Sequence, residues 1–302
     1  VMEMDLQTTI ADITAKVKKS FFNVLTTEEE LKFAKKTIEI AKSLMSISNQ
    51  RFKIGDIARI DVLKAEIELS NAKMRVQNAE RKYLNTAKML QTVMGVSDID
   101  LNNLLPISTA DTPSLNLENL NELLLNNHPA LKARKKVVDL SVIKITEAKR
   151  MAIPDINATI GYKRLSTTDI NTVQAGIEFS LPIFNRNQGK IIEARALSHK
   201  AKDDVEVVRN QLLLQLSNAF SLYTSTREQV RIFTDTIIPQ SEESLKIARQ
   251  GYRQGEFDYL QVLDAQRTLA NTRISYLKIL NELFSSITEI EKFVGVKISD
   301  IK

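Results

Sequence analysis

Apolar side chains recur along this chain with two different periods, and the switch between them divides it. Val62, Leu69, Val76, Tyr83 and Leu90 fall on one heptad row; Val262, Leu269, Tyr276, Leu283 and Ile290 fall on another. A sustained seven-residue row predicts a long helix that supercoils left-handedly against its neighbours. A further helix is predicted from about Gly189 to about Ile238, through Val205, Val208, Leu212, Leu216, Ala219 and Tyr223. At ~1.5 Å per residue it is roughly 75 Å long, far beyond an ordinary globular helix. Across residues 154–184 the period becomes two. Ile156, Ala158, Ile160 and Tyr162 alternate with Asn157, Thr159, Gly161 and Lys163. After a polar stretch at 166–171, Val173, Ala175, Ile177, Phe179 and Leu181 alternate with Thr172, Gln174, Gly176, Glu178 and Ser180. Two strands of about 10 residues, apolar on one face, have the dimensions of a transmembrane β-hairpin. A half-buried soluble hairpin alternates in the same way. The flanking helices are too long for a compact core, which favours the membrane reading.

The two heptad rows belong to two copies of one design. Residues 50–71 and 250–271 match in register at Gln50/Gln250, Gly55/Gly255, Val62/Val262, Leu63/Leu263, Ala65/Ala265, Leu69/Leu269 and Asn71/Asn271. Both copies close on Gly-Val, at Gly95-Val96 and Gly295-Val296. A spacing this long exceeds the roughly 20–50 residues of solenoid units and points to a duplicated half-molecule. Gly55 and Gly255 each stand where one long helix ends and the next begins, since glycine tolerates the left-handed conformation that stops a helix. The fold class is therefore mainly α: long antiparallel coiled-coil hairpins in two repeats, with one β-hairpin. Residues 1–97 form the first repeat. Residues 98–127, with Pro106, Pro113 and many Asn, Ser and Thr, form a loop segment with one short amphipathic helix near Leu117–Leu125. Residues 128–302 form the second repeat, its β-hairpin at about 154–184 and its helical hairpin at about 189–295. His128-Pro129 restarts a helix, with Pro129 suited to its first turn.

Composition narrows the chemistry. In 302 residues there are eight Gly, six Pro and no Trp, which suits extended helices better than a compact globule. Zero Cys excludes disulfides, thiolate chemistry and zinc–sulfur sites. The net charge of +5 is spread without a dense basic tract, so no nucleic-acid partner is expected. No run approaches the roughly 18–20 apolar residues of a membrane-spanning helix. No catalytic constellation, cofactor motif or metal site is expected. His128 and His199 are isolated, read as a helix-start residue and a solvated helix position, and Gln188-Gly189-Lys190 lacks the flanking residues of a phosphate loop.

Several elements together resemble the TolC-like outer-membrane efflux family. They are Tyr252-Arg253-Gln254-Gly255, then Val262-Leu263-Asp264-Ala265-Gln266, and the strand-to-helix junction Leu181-Pro182-Ile183-Phe184-Asn185-Arg186-Asn187-Gln188-Gly189. The first copy departs slightly, with Phe52 for the aromatic and Asp61-Val62-Leu63-Lys64-Ala65-Glu66 for the following run. The junction is most similar to the heavy-metal (CzcC/CusC-like) branch. The resemblance implies a homotrimer in the outer membrane and periplasm of a diderm bacterium, with hairpins pooled into one shared barrel in outer-membrane lipid. It implies a passive exit duct for small molecules or metal ions, docked to a periplasmic adaptor (membrane fusion protein) and an inner-membrane transporter. It places Gly55 and Gly255, with Asp56 and Glu256, at adaptor-contacting helix tips, and Asp264 at the aperture beside Gln261, which stands at a second acidic position of the family and thins the acidic ring; Asp61 of the first copy and Tyr252 are the further aperture candidates. Ile156, Ala158, Ile160, Tyr162, Val173, Ala175, Ile177 and Phe179 would face lipid. The competing expectation is a soluble coiled-coil scaffold or tether with a small β-arm, in which Asp264 merely faces water.

The repeat also predicts something upstream. Aligning Phe21 with Phe220 sets Val1 opposite Lys200, so the first copy has no counterpart to residues 129–199. A duplicated design predicts a first helix, a first β-hairpin and a signal peptide before Val1.

Overall fold

The computed structural model describes residues 2–98, 113–165 and 170–300; Pro106 and residues 166–169 of the polar stretch lie outside them. Among the described residues, seven α-helices and two strands follow in order: α1 (Met2–Lys53), α2 (Arg59–Met94), α3 (Leu117–Asn127), α4 (Pro129–Arg150), β1 (Ile156–Leu165), β2 (Ile170–Phe179), α5 (Gln188–Ile232), α6 (Ile238–Gln254) and α7 (Tyr259–Val294). A π-helical turn, Phe233–Ile237, joins α5 to α6. The helix predicted to reach Ile238 thus continues to Gln254. Pro239 cannot donate to the preceding turn, and the widened turn before it absorbs the missing bond without ending the helix. No described helix is long and apolar enough to cross a membrane.

The chain divides into two compact units, residues 1–8 with 128–211 and residues 9–127 with 212–302. In the first, β1 and β2 pair antiparallel, with Ile156 opposite Phe179, Ala158 opposite Ile177, Ile160 opposite Ala175 and Tyr162 opposite Val173. The eight apolar residues of the alternating pattern therefore share one face, because alternate residues of a strand point the same way. That face is bare: Ile160 is 85% exposed, and Ile156, Val173 and Ile177 are similarly open. The strand-to-helix junction is a knot of polar side chains. Asn187 takes a left-handed φ of 57°, and its Nδ2 donates to the Ala148 carbonyl at the end of α4 (2.9 Å). Asn185 Oδ1 accepts from the Asn187 N–H, and Gln188 Oε1 accepts from the Arg186 N–H. Three short amides thus cap the turn that sends the chain from sheet into α5. His128 opens α4 as its N-cap, Nδ1 accepting from the Ala130 N–H.

In the second unit α1 is the central helix. α2 packs along it through buried Val62, Ala65, Ala72, Ala79, Thr86 and Leu90. The most buried heptad row of α2 is Ala65, Ala72, Ala79 and Thr86, whereas Leu69, Val76 and Tyr83 are only half-buried beside it. The expected Val-Leu-Val-Tyr-Leu row is therefore not the seam itself in α2. Small residues permit close approach of the two helices, and Thr86 adds a buried bond to Thr27 of α1 (2.8 Å). In α7 four of the five predicted row residues, Val262, Leu269, Leu283 and Ile290, are buried in the seam, while Tyr276 is half-buried. α7 meets α1 through the stacked rings of Phe22 and Phe284, centroids 4.1 Å apart, and through the Lys18–Glu291 and Lys19–Glu289 pairs.

Candidate functional site: the paired helix turns

Two sharp turns, α1 to α2 and α6 to α7, are built the same way. Gly55 (φ 78°) and Gly255 (φ 80°) both sit in the left-handed region. The Asp56 N–H donates to the Arg51 carbonyl and the Gly55 N–H to Phe52. In the second turn Glu256 donates to Gly251 and Gly255 to Tyr252. These paired bonds satisfy the last orphan carbonyls of each helix, and only glycine takes the required φ without strain.

The next helix starts differently in the two copies. Asp258 caps α7, and Gln261 Oε1 accepts its backbone N–H at 3.1 Å in a reciprocal capping box. The equivalent of Asp258 is Ala58, which offers no capping side chain. Asp61, the counterpart of Gln261, instead accepts from Lys64 at 3.1 Å. One aperture candidate is thus engaged in holding a helix start, and its counterpart in an ion pair.

Below the turns lies an apolar cluster drawn from α1, α2, α6 and α7: Leu44, Ala65, Leu245, Ala248, Tyr252, Tyr259, Val262, Ala265 and Leu269. Tyr252 is its polar centre, only 1% exposed. Its hydroxyl bonds the Ser48 hydroxyl of α1 at 2.7 Å, and its ring lies edge-on to Tyr259. Burial holds the Tyr252 phenol above its ordinary range, partly offset by the Ser48 bond. Burial also pushes Tyr259 up, strongly.

Arg51 fastens the two turns together. Its Nε donates to Asp56 Oδ2 (2.5 Å) beyond the first glycine, while Nη1 donates to the Tyr252 carbonyl before the second (2.7 Å). The guanidinium carbon stands 4.8 Å from the Tyr252 ring centroid, in cation–π range. Phe257, beyond the second glycine, folds back onto Gly251, where a Cβ would fall 2.4 Å from the ring.

Asp264 and Gln261 lie elsewhere on the hairpin. With Phe257 they line an open groove between α6 and α7 of about 550 Å³. Asp264 is exposed and, among the described residues, forms no ion pair. Tyr252 and Asp61 are neighbours by field, Asp61 adding to the upward push on the phenol. The structure therefore separates the four aperture candidates into buried Tyr252 with half-buried Asp61, and an exposed pair, Gln261 and Asp264. Ser48, Arg51, Gly251 and Phe257 were not among the sequence candidates. The signal for two of them lies in the repeat: Arg51 and Gly251 occupy equivalent positions, and their difference is what lets Arg51 reach out and Phe257 fold in.

The sequence profile of the family described as outer membrane efflux protein matches residues 2–96 and 120–296. The chain belongs to that family. Among curated proteins, this efflux-family chain is 29% identical over 288 residues to the cobalt-zinc-cadmium resistance protein CzcC of Cupriavidus metallidurans, covering 94% of this chain and 68% of that one. It is 22% identical to the outer membrane protein TolC of Escherichia coli, covering 94% and 62% respectively. It thus spans about two thirds of the length of these relatives. Its fold is that of the crystallised cation efflux protein CusC, with a TM-score of 0.81 at 18% identity over 97% of this chain and 70% of that one.

Proposed function

We propose that this protein is the outer-membrane exit duct of a tripartite efflux system, assembled as a homotrimer. The observation that carries the reading is the β1–β2 face, on which eight apolar residues stand together in register and exposed. A two-stranded sheet has two unpaired edges, which lipid does not tolerate, so the hairpin requires further strands from other copies to close a barrel. Ile156, Ala158, Ile160, Tyr162, Val173, Ala175, Ile177 and Phe179 then contact outer-membrane lipid. A soluble scaffold has no use for such a face, and family membership supports the duct over the scaffold.

The helix turns face the periplasm, where Gly55, Asp56, Gly255 and Glu256 meet the adaptor, and an inner-membrane transporter supplies the energy. Asp264 and Gln261 border the aperture, while Tyr252 and Asp61 hold its wall. Likeness to a cobalt-zinc-cadmium resistance protein and to a cation efflux protein supports divalent metal cations as cargo. Full-length protein is expected in the outer-membrane fraction, resistant to alkaline extraction and cross-linking to three chains. A monomer released by alkali would end this reading. Loss of the gene is expected to lower tolerance to cobalt, zinc or cadmium; unchanged tolerance would remove the cargo assignment alone.

A further inference from the structure

α1, α6 and α7 enclose a second groove, of about 820 Å³, on the other side of α6 from Asp264. Phe33, Leu245, Leu269 and Leu280 give it an apolar floor. Its walls carry Lys32, Lys36, Lys246, Arg249, Arg253 and Arg273 against only Glu29 and Glu242. Both carboxylates are already engaged, Glu29 with Lys32 (3.0 Å) and Glu242 with Arg273. Lys246 pairs with Glu243 outside the groove. Among the described residues, no carboxylate lies within ion-pair distance of Lys36, Arg249 or Arg253.

This arrangement is costly as it stands. Arg249 Nε and Arg273 Nε are buried without a hydrogen-bond partner. Burial, and after it the charge of Arg253, pull the Arg249 pKa down from its ordinary value. A cation withdrawn from water without a counter-ion is destabilising, and the remedy is an anion from outside the chain. The lining restricts which anion. From Glu29 to Ile40 on α1 the groove runs along roughly 16 Å of helix. Over that length the basic walls offer counter-charges to an anionic head group, and the apolar floor takes a hydrocarbon chain.

We propose that this groove binds an anionic amphiphile, its carboxylate or phosphate head held by Arg249, Arg253 and Lys36 and its chain laid on the Phe33–Leu245–Leu269 floor. Guanidinium groups are suited to the task because their fork of donors matches both head groups.

Calorimetric titration of the full-length trimer, in a neutral detergent at low salt, tests this with two probes, laurate and inorganic phosphate. Laurate is expected to bind at least tenfold more tightly than phosphate. Arg249→Gln with Arg253→Gln is expected to weaken laurate by about tenfold or more. Lys36→Gln, on an exposed helix position, is expected to weaken it in the same direction with trimer elution and thermal unfolding unchanged, which covers the case of a misfolded double variant. Equal affinity for the two probes, lost in the same variants, would support the anion site and make a free anion its source. No heat with either probe, or laurate binding indifferent to all three substitutions, would overturn the proposal.

Discussion

The ring of Phe257 occupies the space that a side chain on residue 251 would need: a Cβ there would fall 2.4 Å from its Cδ2 and 2.8 Å from two more ring carbons. The glycine is required by packing, since Gly251 lies within α6, four residues before the left-handed turn. Gly251→Ala is therefore expected to expel the ring and destabilise the hairpin end by about 1–3 kcal/mol. Thermal unfolding and protease cleavage at residues 255–258 measure it, and adding Phe257→Ala is expected to restore much of the loss. Wild-type unfolding in the single variant would show that the ring moves aside freely.

Gly255→Val and Gly55→Val strain a left-handed backbone by ~1–2 kcal/mol each. The two differ in surroundings. A Cβ at 55 meets nothing within 4 Å, whereas one at 255 stands 3.6 Å from Arg51 Nη2. That Cβ is in ordinary contact, so it is the γ-methyls of Gly255→Val that are expected to press on the Arg51 fastening and to lower adaptor cross-linking more than Gly55→Val. Export and cross-linking both untouched in Gly255→Val would remove the turn from the docking surface.

Tyr252→Phe removes one hydroxyl and strands another. Ser48 is wholly buried, so its loss of a partner adds to the lost bond, and about 1–3 kcal/mol of destabilisation is expected. The pH dependence has a definite sign. Folded Tyr252 and Tyr259 titrate above the ordinary tyrosine value because they are buried. Above the unfolded value of about 10 the unfolded chain binds fewer protons than the folded one, so stability falls as pH rises. Alkaline unfolding is expected to shift in Tyr252→Phe, and identical alkaline midpoints would contradict the burial argument.

Asp264→Asn is expected to change conductance and cation preference of the assembled channel in planar bilayers while leaving thermal unfolding within about 0.5 kcal/mol of wild type. An exposed side chain with no ion pair among the described residues contributes little to stability. Identical single-channel behaviour would return Asp264 to the solvated class.

Both glycine turns, the two long hairpins and the β-hairpin were legible because each depends on local rules. A period of seven or two, a left-handed glycine and an alternating apolar set are written in adjacent residues. The seam of α2 was not legible in the same way. Val62, Leu69 and Val76 look like the core row, yet only Val62 is buried, while Ala65, Ala72 and Ala79 lie deeper than Leu69 and Val76, because the separation of two helices is set by both partners.

By itself the sequence determined the repeat, the helix stops, the strand faces and the family, since these follow from backbone preferences and periodicity. Only tertiary structure decided how the two turns are joined and which charges lack partners. Arg51 reaching Tyr252 is a contact between residues far apart in the chain, and nothing local to either announces it. The unpaired state of Arg249 is of the same kind. A cation's counter-ion is set by which helices lie beside it, and the packing of three helices leaves Arg249 with none among the described residues.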